Sequence, residues 1–179
     1  VNAGVLELVN LTGGTRFNSP ITVNAGATVE VNSTVPFANR WLYYPAISGV
    51  GTVNTTGTGA FQLVGSVALS GTVNVLAGRL GSDNLTANYA ANTATLVVSA
   101  GAEFDLRGQP ATWGGLGGAG NVIDSYGFGG TNVLTIGAAD KAGTFTGSIS
   151  GSGAGSGGDG QGLTGLRKIG AGVQYLDGA

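Results

Sequence analysis

The chain has 179 residues, of which 36 are glycine and only 9 % are charged, and it contains neither cysteine, histidine nor methionine. Without histidine or cysteine, the sequence excludes the usual zinc sites, haem and iron–sulfur ligation, and catalysis by either side chain. A net charge of −2 gives no sustained positive field for nucleic acid. Apolar residues make up 42 %, which argues against a disordered chain.

Short segments with alternating apolar residues recur along the whole chain and predict β-strands of three to five residues. They are separated by glycine, asparagine and serine, and no segment has the apolar stripe of a helix. In chain order the predicted strands are Val5–Leu8, Ile21–Val23, Thr28–Val31, Val67–Leu69, Val73–Val75, Leu96–Val98, Phe104–Leu106 and Val133–Ile136. An all-β fold is therefore expected.

An Ala-Gly phrase recurs before several of these segments and suggests a structural period. Its glycines are Gly4, Gly26, Gly78, Gly101 and Gly172. Their separations read as one, two, one and three units of about 22 to 26 residues. Two further echoes support the period, one from Arg16 to Ile21 and Arg40 to Ile47, the other a glycine phrase after Ile47, Leu116 and Ile149.

This period predicts a β-solenoid with three strands and three corners per coil. Each strand would pair in parallel with its copy in the next coil, at the ordinary strand spacing of about 4.8 Å. Small aliphatic side chains would fill the inside, and glycine would serve the corners.

The C-terminal part resembles the autotransporter-associated β-strand repeat of bacterial passenger domains. The resemblance is carried by residues 143–153 and 163–178, and residues 1–8 look like the start of the next copy. It implies a right-handed parallel β-helix and an extracellular or bacterial cell-surface location. Since the chain starts and stops within units, we expect residues 1–179 to be a single module of a larger repetitive secreted protein with neighbouring domains.

Four aromatic residues have a similar phase after the Ala-Gly phrase and predict one aromatic face: Phe17, Trp41, Tyr89 and Trp113. Flat rings in a row suit the faces of pyranose sugars, and amide and charged groups beside them suit hydroxyls. The predicted sugar-binding residues are Trp41, Tyr43, Tyr44, Trp113 and Tyr126 for stacking and Arg40, Asn39, Gln109 and Asp124 for hydrogen bonding. The alternative is that the rings fill the inside of the coil stack.

Acidic residues give a second candidate site. Glu7, Glu30 and Asp105 lie between apolar neighbours and are expected to face solvent, together with Glu103. Paired carboxylates can hydrolyse glycosides, but a solvated outer face is the favoured interpretation. The segment 155–161 partly matches a glycine–aspartate calcium-binding coil, in one degenerate copy only, and a loop is the favoured interpretation there.

The sequence therefore predicts a non-catalytic module that holds a polysaccharide, xylan-like chains being one possibility, on an exposed aromatic and polar strip. The alternative is a structural spacer or adhesin segment of a passenger domain, and a glycan-cleaving enzyme is a third reading that the sparse charges disfavour. We expect no cofactor, no bound metal, no nucleic-acid partner and no membrane insertion, since no apolar run reaches membrane-spanning length.

Overall fold

The computed structural model describes residues 1–10, 16–36, 41–43, 45–82, 87–126, 131–151 and 163–178. Strands dominate this part of the chain, and its helical content is the short 3₁₀ segment Ala138–Asp140. The strands are β1 (Gly4–Asn10), β2 (Arg16–Phe17), β3 (Ile21–Val23), β4 (Ala27–Ser33), β5 (Trp41–Tyr43), β6 (Ile47–Gly49), β7 (Thr52–Thr55), β8 (Ala60–Leu63), β9 (Val67–Leu69), β10 (Thr72–Val75), β11 (Arg79–Ser82), β12 (Thr95–Val98), β13 (Glu103–Asp105), β14 (Ala111–Trp113), β15 (Gly115–Gly118), β16 (Asn121–Asp124), β17 (Thr131–Ile136), β18 (Gly143–Phe145), β19 (Ser148–Gly151), β20 (Leu163–Lys168) and β21 (Gln174–Leu176).

The strands form parallel sheets that the chain visits in rotation. The first sheet has the order β1-β4-β7-β10-β12-β15-β18-β21, and the second has the order β2-β5-β8-β11-β13-β16-β19. The third face consists of β3-β6-β9 and β14-β17-β20, with a parallel bridge between Ser66 and Asn88 in the gap. The chain contributes one strand to each face in turn, apart from the coil of β10 and β11, which has only this bridge on the third face. The predicted parallel β-solenoid with three strands per coil is therefore confirmed.

The coil length varies around the predicted 22 to 26 residues. Thr28 pairs with Thr52, and Thr52 pairs with Thr72, so these coils advance by 24 and 20 residues. Gly143 pairs with Gln174, an advance of 31 residues. The stack tolerates this variation because a longer coil places its extra residues in a corner or loop and leaves the strand register intact.

Inward positions of the first sheet form an apolar column. Leu6, Val29, Val53, Val73, Leu96 and Leu116 succeed one another in register from β1 to β15. The five members from Val29 onward are at most 3 % exposed. Burying each such side chain contributes roughly 1.5–3 kcal/mol, and the strands of this sheet therefore owe their register to the alternation visible in the sequence.

Outward positions of the same sheet form a second column, whose members from β1 to β10 are polar. It runs through Glu7, Glu30, Asn54, Asn74, Val97, Gly117, Thr144 and Tyr175. Within it, the side-chain amide of Asn74 donates to Asn54 Oδ1 at 2.9 Å, and beside it the hydroxyl of Thr56, just after β7, donates to Glu30 Oε1 at 3.2 Å. Side chains thus add hydrogen bonds along the solenoid axis to those of the backbone.

Two corners of the solenoid have the same construction, although they join different faces. In one, the backbone N–H groups of Val50 and Gly51 both donate to Val23 O; in the other, those of Ala119 and Gly120 both donate to Val98 O. In each corner the Ala-Gly phrase lies in the lower coil. In the coil above, the corner starts at a glycine with positive φ, which is Gly49 (φ 114°) in one corner and Gly118 (φ 97°) in the other. A Cβ at either glycine would overlap the carbonyl below, which explains why glycine is required there.

Candidate functional site

The residues of the predicted aromatic face lie on two different faces of the solenoid. Phe17 belongs to β2 and Trp41 to β5, both in the second sheet, whereas Trp113 belongs to β14 on the third face. The error arises from the Ala-Gly phrase, because Gly4 and Gly26 precede strands of the first sheet, and Gly78 and Gly101 precede strands of the second. A residue some twelve positions later therefore reaches a different face in the two cases, and the prediction of a single aromatic row was wrong.

Trp113 and Tyr89 are buried in the core. Trp113 has no exposed surface, and its ring packs edge-on against Phe104, with 5.4 Å between ring centroids. Tyr89 lies 5.6 Å from Trp113 and shares a buried hydroxyl hydrogen bond of 2.9 Å with Ser82. Burial raises the pKa of Tyr89 far above its ordinary value. The prediction that Trp113 stacks on a sugar was wrong because its ring fills the solenoid at this level.

Asp124 was predicted to bind sugar hydroxyls, but its carboxylate is fully buried and serves the fold. Its Oδ1 accepts the N–H of Gly108 at 2.8 Å and that of Tyr126 at 3.4 Å, and its Oδ2 accepts the side-chain amide of Asn132 at 2.5 Å. These bonds connect the coil below with the corner that follows β16. The prediction for Asp124 was therefore wrong, because its acceptors are already used inside the protein.

Tyr126 and Gln109, two other predicted ligand-binding residues, are only partly buried. The guanidinium of Arg107 lies 5.1 Å from the centroid of the Tyr126 ring. A cation at this distance is attracted to the negative face of the ring and holds it in place. Of the predicted strip, these two residues remain partly exposed. They lie at corners of successive coils, since Gln109 follows β13 and Tyr126 follows β16.

The remaining predicted ligand-binding residues cannot be placed by side chain. Asn39, Arg40 and Tyr44 lie outside the described residues, and so does the segment 155–161 with the calcium-like pattern. Trp41 and Tyr43 belong to β5 by their backbone, but the described part does not include their side chains. Among the described residues, no group of three or more acidic side chains is placed to hold a metal ion.

The acidic prediction was right in part. Glu7 pairs in register with Glu30 on adjacent strands of the first sheet, and Glu7 is exposed. Asp105 belongs to the second sheet and is fully buried, so the prediction that it faces solvent was wrong. Because Asp105 and Glu30 stand on different sheets, these carboxylates do not form one row.

Asp105 is the centre of a group of charged and polar residues that we call the corner cluster, which also contains Arg79, Glu103, Arg107, Asp124 and Ser125. Asp105 Oδ1 accepts the backbone N–H groups of Ser125 at 2.9 Å and Arg107 at 3.1 Å. Its Oδ2 accepts the Ser125 hydroxyl at 2.5 Å and Arg79 Nη1 at 3.3 Å. These donors enclose the carboxylate, which explains its burial at an outward position.

Burial raises the pKa of the Asp105 carboxyl above its ordinary value, while the bonds from Ser125, the charge of Arg79 and the N–H of Arg107 act in the opposite direction. Arg79 also forms an ion pair of 2.6 Å with Glu103, whose side chain is 30 % exposed. The corner cluster is therefore an internally compensated network, and its chemistry is that of a structural clamp between coils.

A shallow groove of about 290 Å³ lies beside the corner cluster. Gly59, Gly78 and Gly101 belong to its lining, and Arg79 and Glu103 form part of its wall. The space around Gly101 is open, whereas Gly59 and Gly78 allow close approach of neighbouring backbone, and the two charged groups are engaged with each other. The groove thus offers a polar concave surface without an uncompensated charge.

Sequence reasoning missed two side chains that connect distant coils across glycine positions. Gln174 donates to Leu116 O at 2.6 Å and accepts from Leu116 N at 3.0 Å, where Gly143 lacks a side chain in the coil between. The Lys141 ammonium donates to Ser70 O at 2.6 Å beside Gly114, and partial burial lowers its pKa. Only the register of the coils reveals these contacts, since the partners are 58 and 71 residues apart.

No helix in the described ranges is both long and apolar enough to cross a membrane. Comparison of the chain with protein-family models, with curated proteins and with solved structures finds no match.

Proposed function

We propose that the chain is a structural spacer, a stiff β-solenoid segment that holds the parts of a secreted or cell-surface protein at a fixed separation. The observation that carries the proposal is the first sheet, which runs through eight strands from Gly4 to Leu176. Each step adds about 4.8 Å, and the length of such a stack is set by the number of its coils.

Side-chain hydrogen bonds between coils support this role. Asp105 and Asp124 direct their oxygens to backbone and side-chain donors of neighbouring coils, and Gln174 and Lys141 connect coils that are not adjacent. Contacts of this kind resist bending and shear between coils, which a spacer requires. The resemblance to passenger-domain repeats agrees with this role and with the proposed location outside the cell.

A coil deletion tests the spacer directly. Removing Thr52 to Gly71 deletes one coil, because Thr52 and Thr72 occupy the same position in successive strands. Thr28 then pairs with Thr72, and two fluorescent reporters fused to the ends should approach by about 4.8 Å, with folding retained. The matched control removes Thr52 to Phe61, which breaks the phase of the strands and should unfold the region.

Energy transfer between the reporters measures both variants. A full-coil deletion that unfolds the protein, or that leaves the reporter separation unchanged, contradicts the spacer. Two deletions with equal effects contradict it as well, since a flexible linker would respond to length and not to phase.

The second candidate is the polysaccharide-binding module, now centred on Tyr126 and Gln109. The observation that favours it is the partly exposed Tyr126 ring, which Arg107 orients at 5.1 Å. A held ring loses little conformational freedom when a sugar stacks on it. Trp41 and Tyr43 belong to the same proposal, and the polysaccharide remains its proposed partner. Neither proposed function includes catalysis.

Affinity gel electrophoresis in xylan and other soluble polysaccharides tests this candidate. Tyr126→Ala and Gln109→Ala should lose retention, whereas Tyr175→Ala, which removes an exposed tyrosine from another face, should keep it. Unretarded migration of the wild type in all polysaccharides tested would eliminate the binding module and leave the spacer.

A further inference from the structure

The groove of about 290 Å³ beside the corner cluster lies in the middle of the coil stack. Its lining includes Ala60, Arg79 and Glu103, which are in-register partners on β8, β11 and β13 of the second sheet. Pro36 and Thr58, which are both exposed, line it as well. The groove therefore runs across three neighbouring coils, and its volume is close to the lower end of the range for small-molecule sites, about 300–1,000 Å³.

The Glu103 carboxylate uses one of its oxygens in the ion pair with Arg79. Its Oε2 accepts a hydrogen bond from Arg79 Nε at 2.7 Å and lies 2.6 Å from Nη2. Within the described part of the chain, its Oε1 accepts no hydrogen bond, and the side chain is 30 % exposed. An ionised carboxylate is an acceptor only, so a ligand group that binds at Oε1 has to be a donor.

The charges around Glu103 disfavour an ionic ligand. A cation at Oε1 would lie near the Arg79 guanidinium, which is paired with both Glu103 and Asp105. An anion would face the Glu103 carboxylate itself, and like charges at such short distances repel each other. A hydroxyl group donates a hydrogen bond without carrying a charge. The electrostatics of the groove therefore favour a neutral ligand that is rich in hydroxyl groups.

We propose that the groove binds a short stretch of a neutral sugar chain, with one sugar hydroxyl donating to Glu103 Oε1. Thr58 lies two coils below Glu103, about 10 Å along the axis, and its exposed hydroxyl bonds a hydroxyl of a neighbouring sugar ring. The exposed ring of Pro36 adds an apolar contact. This inference rests on the polysaccharide-binding module, the second proposed function, to which it adds a separate contact site and a charge class of ligand.

The groove and the corner of Tyr126 lie at opposite ends of β13. Glu103 begins this strand, and Arg107, which orients the Tyr126 ring, follows four residues later, at most about 14 Å away. Between them Asp105 holds an outward position of the same strand. A short oligosaccharide is long enough to contact both the groove and the ring, so the two contacts serve one bound chain.

Two variants change the groove without removing a core side chain. Glu103→Gln removes the charge that strengthens the proposed bond. Gly101→Asn adds a side chain where a Cβ meets no atom within 4 Å, and asparagine tolerates the φ of 80°. Gly26→Asn is the matched control for the glycine, with a φ of 75° and the same open space but away from the groove. Glu30→Gln, on the first sheet, is the control for the charge.

Titration of the isotope-labelled protein with xylotriose, cellotriose and mannotriose, followed by amide chemical shifts, tests the proposal. The wild type should show saturable shifts at Gly78, Gly101 and Glu103 with at least one of these sugars. Glu103→Gln and Gly101→Asn should each bind about tenfold more weakly or worse, and both controls should bind like the wild type. Circular dichroism establishes that each variant is folded.

No saturable shift at these amides with any of the three sugars overturns the inference, and so does equal binding by the groove variants and their controls. The same shifts with methylammonium chloride or sodium sulfate at equal concentration also overturn it, because the occupant would then be an ion. Retention in the polysaccharide gel that depends on Tyr126 but not on Glu103 overturns the groove and leaves the binding module. Saturable groove shifts without any gel retention support the groove as a site for short sugars and eliminate the polysaccharide-binding module.

Discussion

The middle and the ends of the solenoid obey different rules, although they repeat the same coil. In the middle, inward residues such as Val53 and Leu96 are at most 3 % exposed, and outward ones such as Asn54 are polar. In the end coils, Leu6 and Leu176 hold inward positions but are 36 % and 47 % exposed. A strand in this fold obtains its burial from the coil on each side, so the residue type alone does not determine it.

The largest expected effect on stability comes from removing a large core side chain from the middle coils. Trp113→Ala should lower the free energy of unfolding by about 3–5 kcal/mol, because the ring fills the core between Tyr89 and Phe104. Tyr175→Ala in the end coil should change it by less than about 0.5 kcal/mol. Urea unfolding at low protein concentration measures both.

If Trp113→Ala does not fold, Trp113→Phe should give a smaller loss that remains measurable. Equal effects of Trp113→Ala and Tyr175→Ala would remove the distinction between middle and end coils.

Substitution of corner glycines gives the next largest effect on stability. It separates two reasons for glycine, which are a positive φ and the close approach of a neighbouring coil. Gly118→Ala should cost about 2–4 kcal/mol, since it combines a positive φ with overlap of the Val98 carbonyl. Gly101→Ala, also at positive φ but with open space around the Cβ position, should cost about 1 kcal/mol. A loss for Gly101→Ala as large as that for Gly118→Ala would contradict the stacking of these corners.

Substitution of Gln174 tests the hydrogen bonds between the last coil and Leu116 of a middle coil. Gln174→Ala leaves the Leu116 N–H and carbonyl without their side-chain partner, and the expected cost is about 1–3 kcal/mol. Thr144→Ala on the neighbouring strand is the control and should have little effect. Hydrogen exchange at Leu116 gives a second readout, and unchanged protection there would mean that the Gln174 bonds do not form in solution.

The smallest effect is a pH dependence from the corner cluster. Asp105 has a pKa raised by burial above its ordinary value of 3.8, so its contribution to stability is largest below that value and is lost as the pH rises through the folded-state pKa. As the pH falls from neutrality toward 3.8, the unfolding free energy of the wild type minus that of Asp105→Asn should therefore increase. A difference that is constant or falls on acidification contradicts the assigned direction.

Much of the fold could be predicted from the sequence, because the alternation of inward apolar and outward residues within each strand can be recognised locally. The segments Thr28–Val31 and Val73–Val75 lie in strands with the predicted inward valines. The period was harder to interpret, since the Ala-Gly phrase marks two kinds of corner. A count from Gly101 to Trp113 therefore reached the third face, and no local signal distinguishes the two corners.

The candidate site was less predictable because it depends on what covers an outward position. Asp105 and Glu30 each stand between apolar neighbours in sequence, yet donors of Ser125 and Arg107 enclose the first, whereas the second accepts a bond from the Thr56 hydroxyl and is only partly buried. Those donors come from the following corner and the next coil. The link between Gln174 and Leu116 is of the same kind, since it needs the register of three coils before it can be recognised.

The stacking of coils in register is tested most directly by a distance between two spin labels on the outward column of the first sheet. The chain has no cysteine, so Glu30→Cys and Thr144→Cys can be labelled specifically. These positions are five strands apart in one column, which predicts a narrow distribution centred near about 24 Å. A broad distribution, or a mean below about 15 Å or above about 35 Å, would contradict the parallel stack.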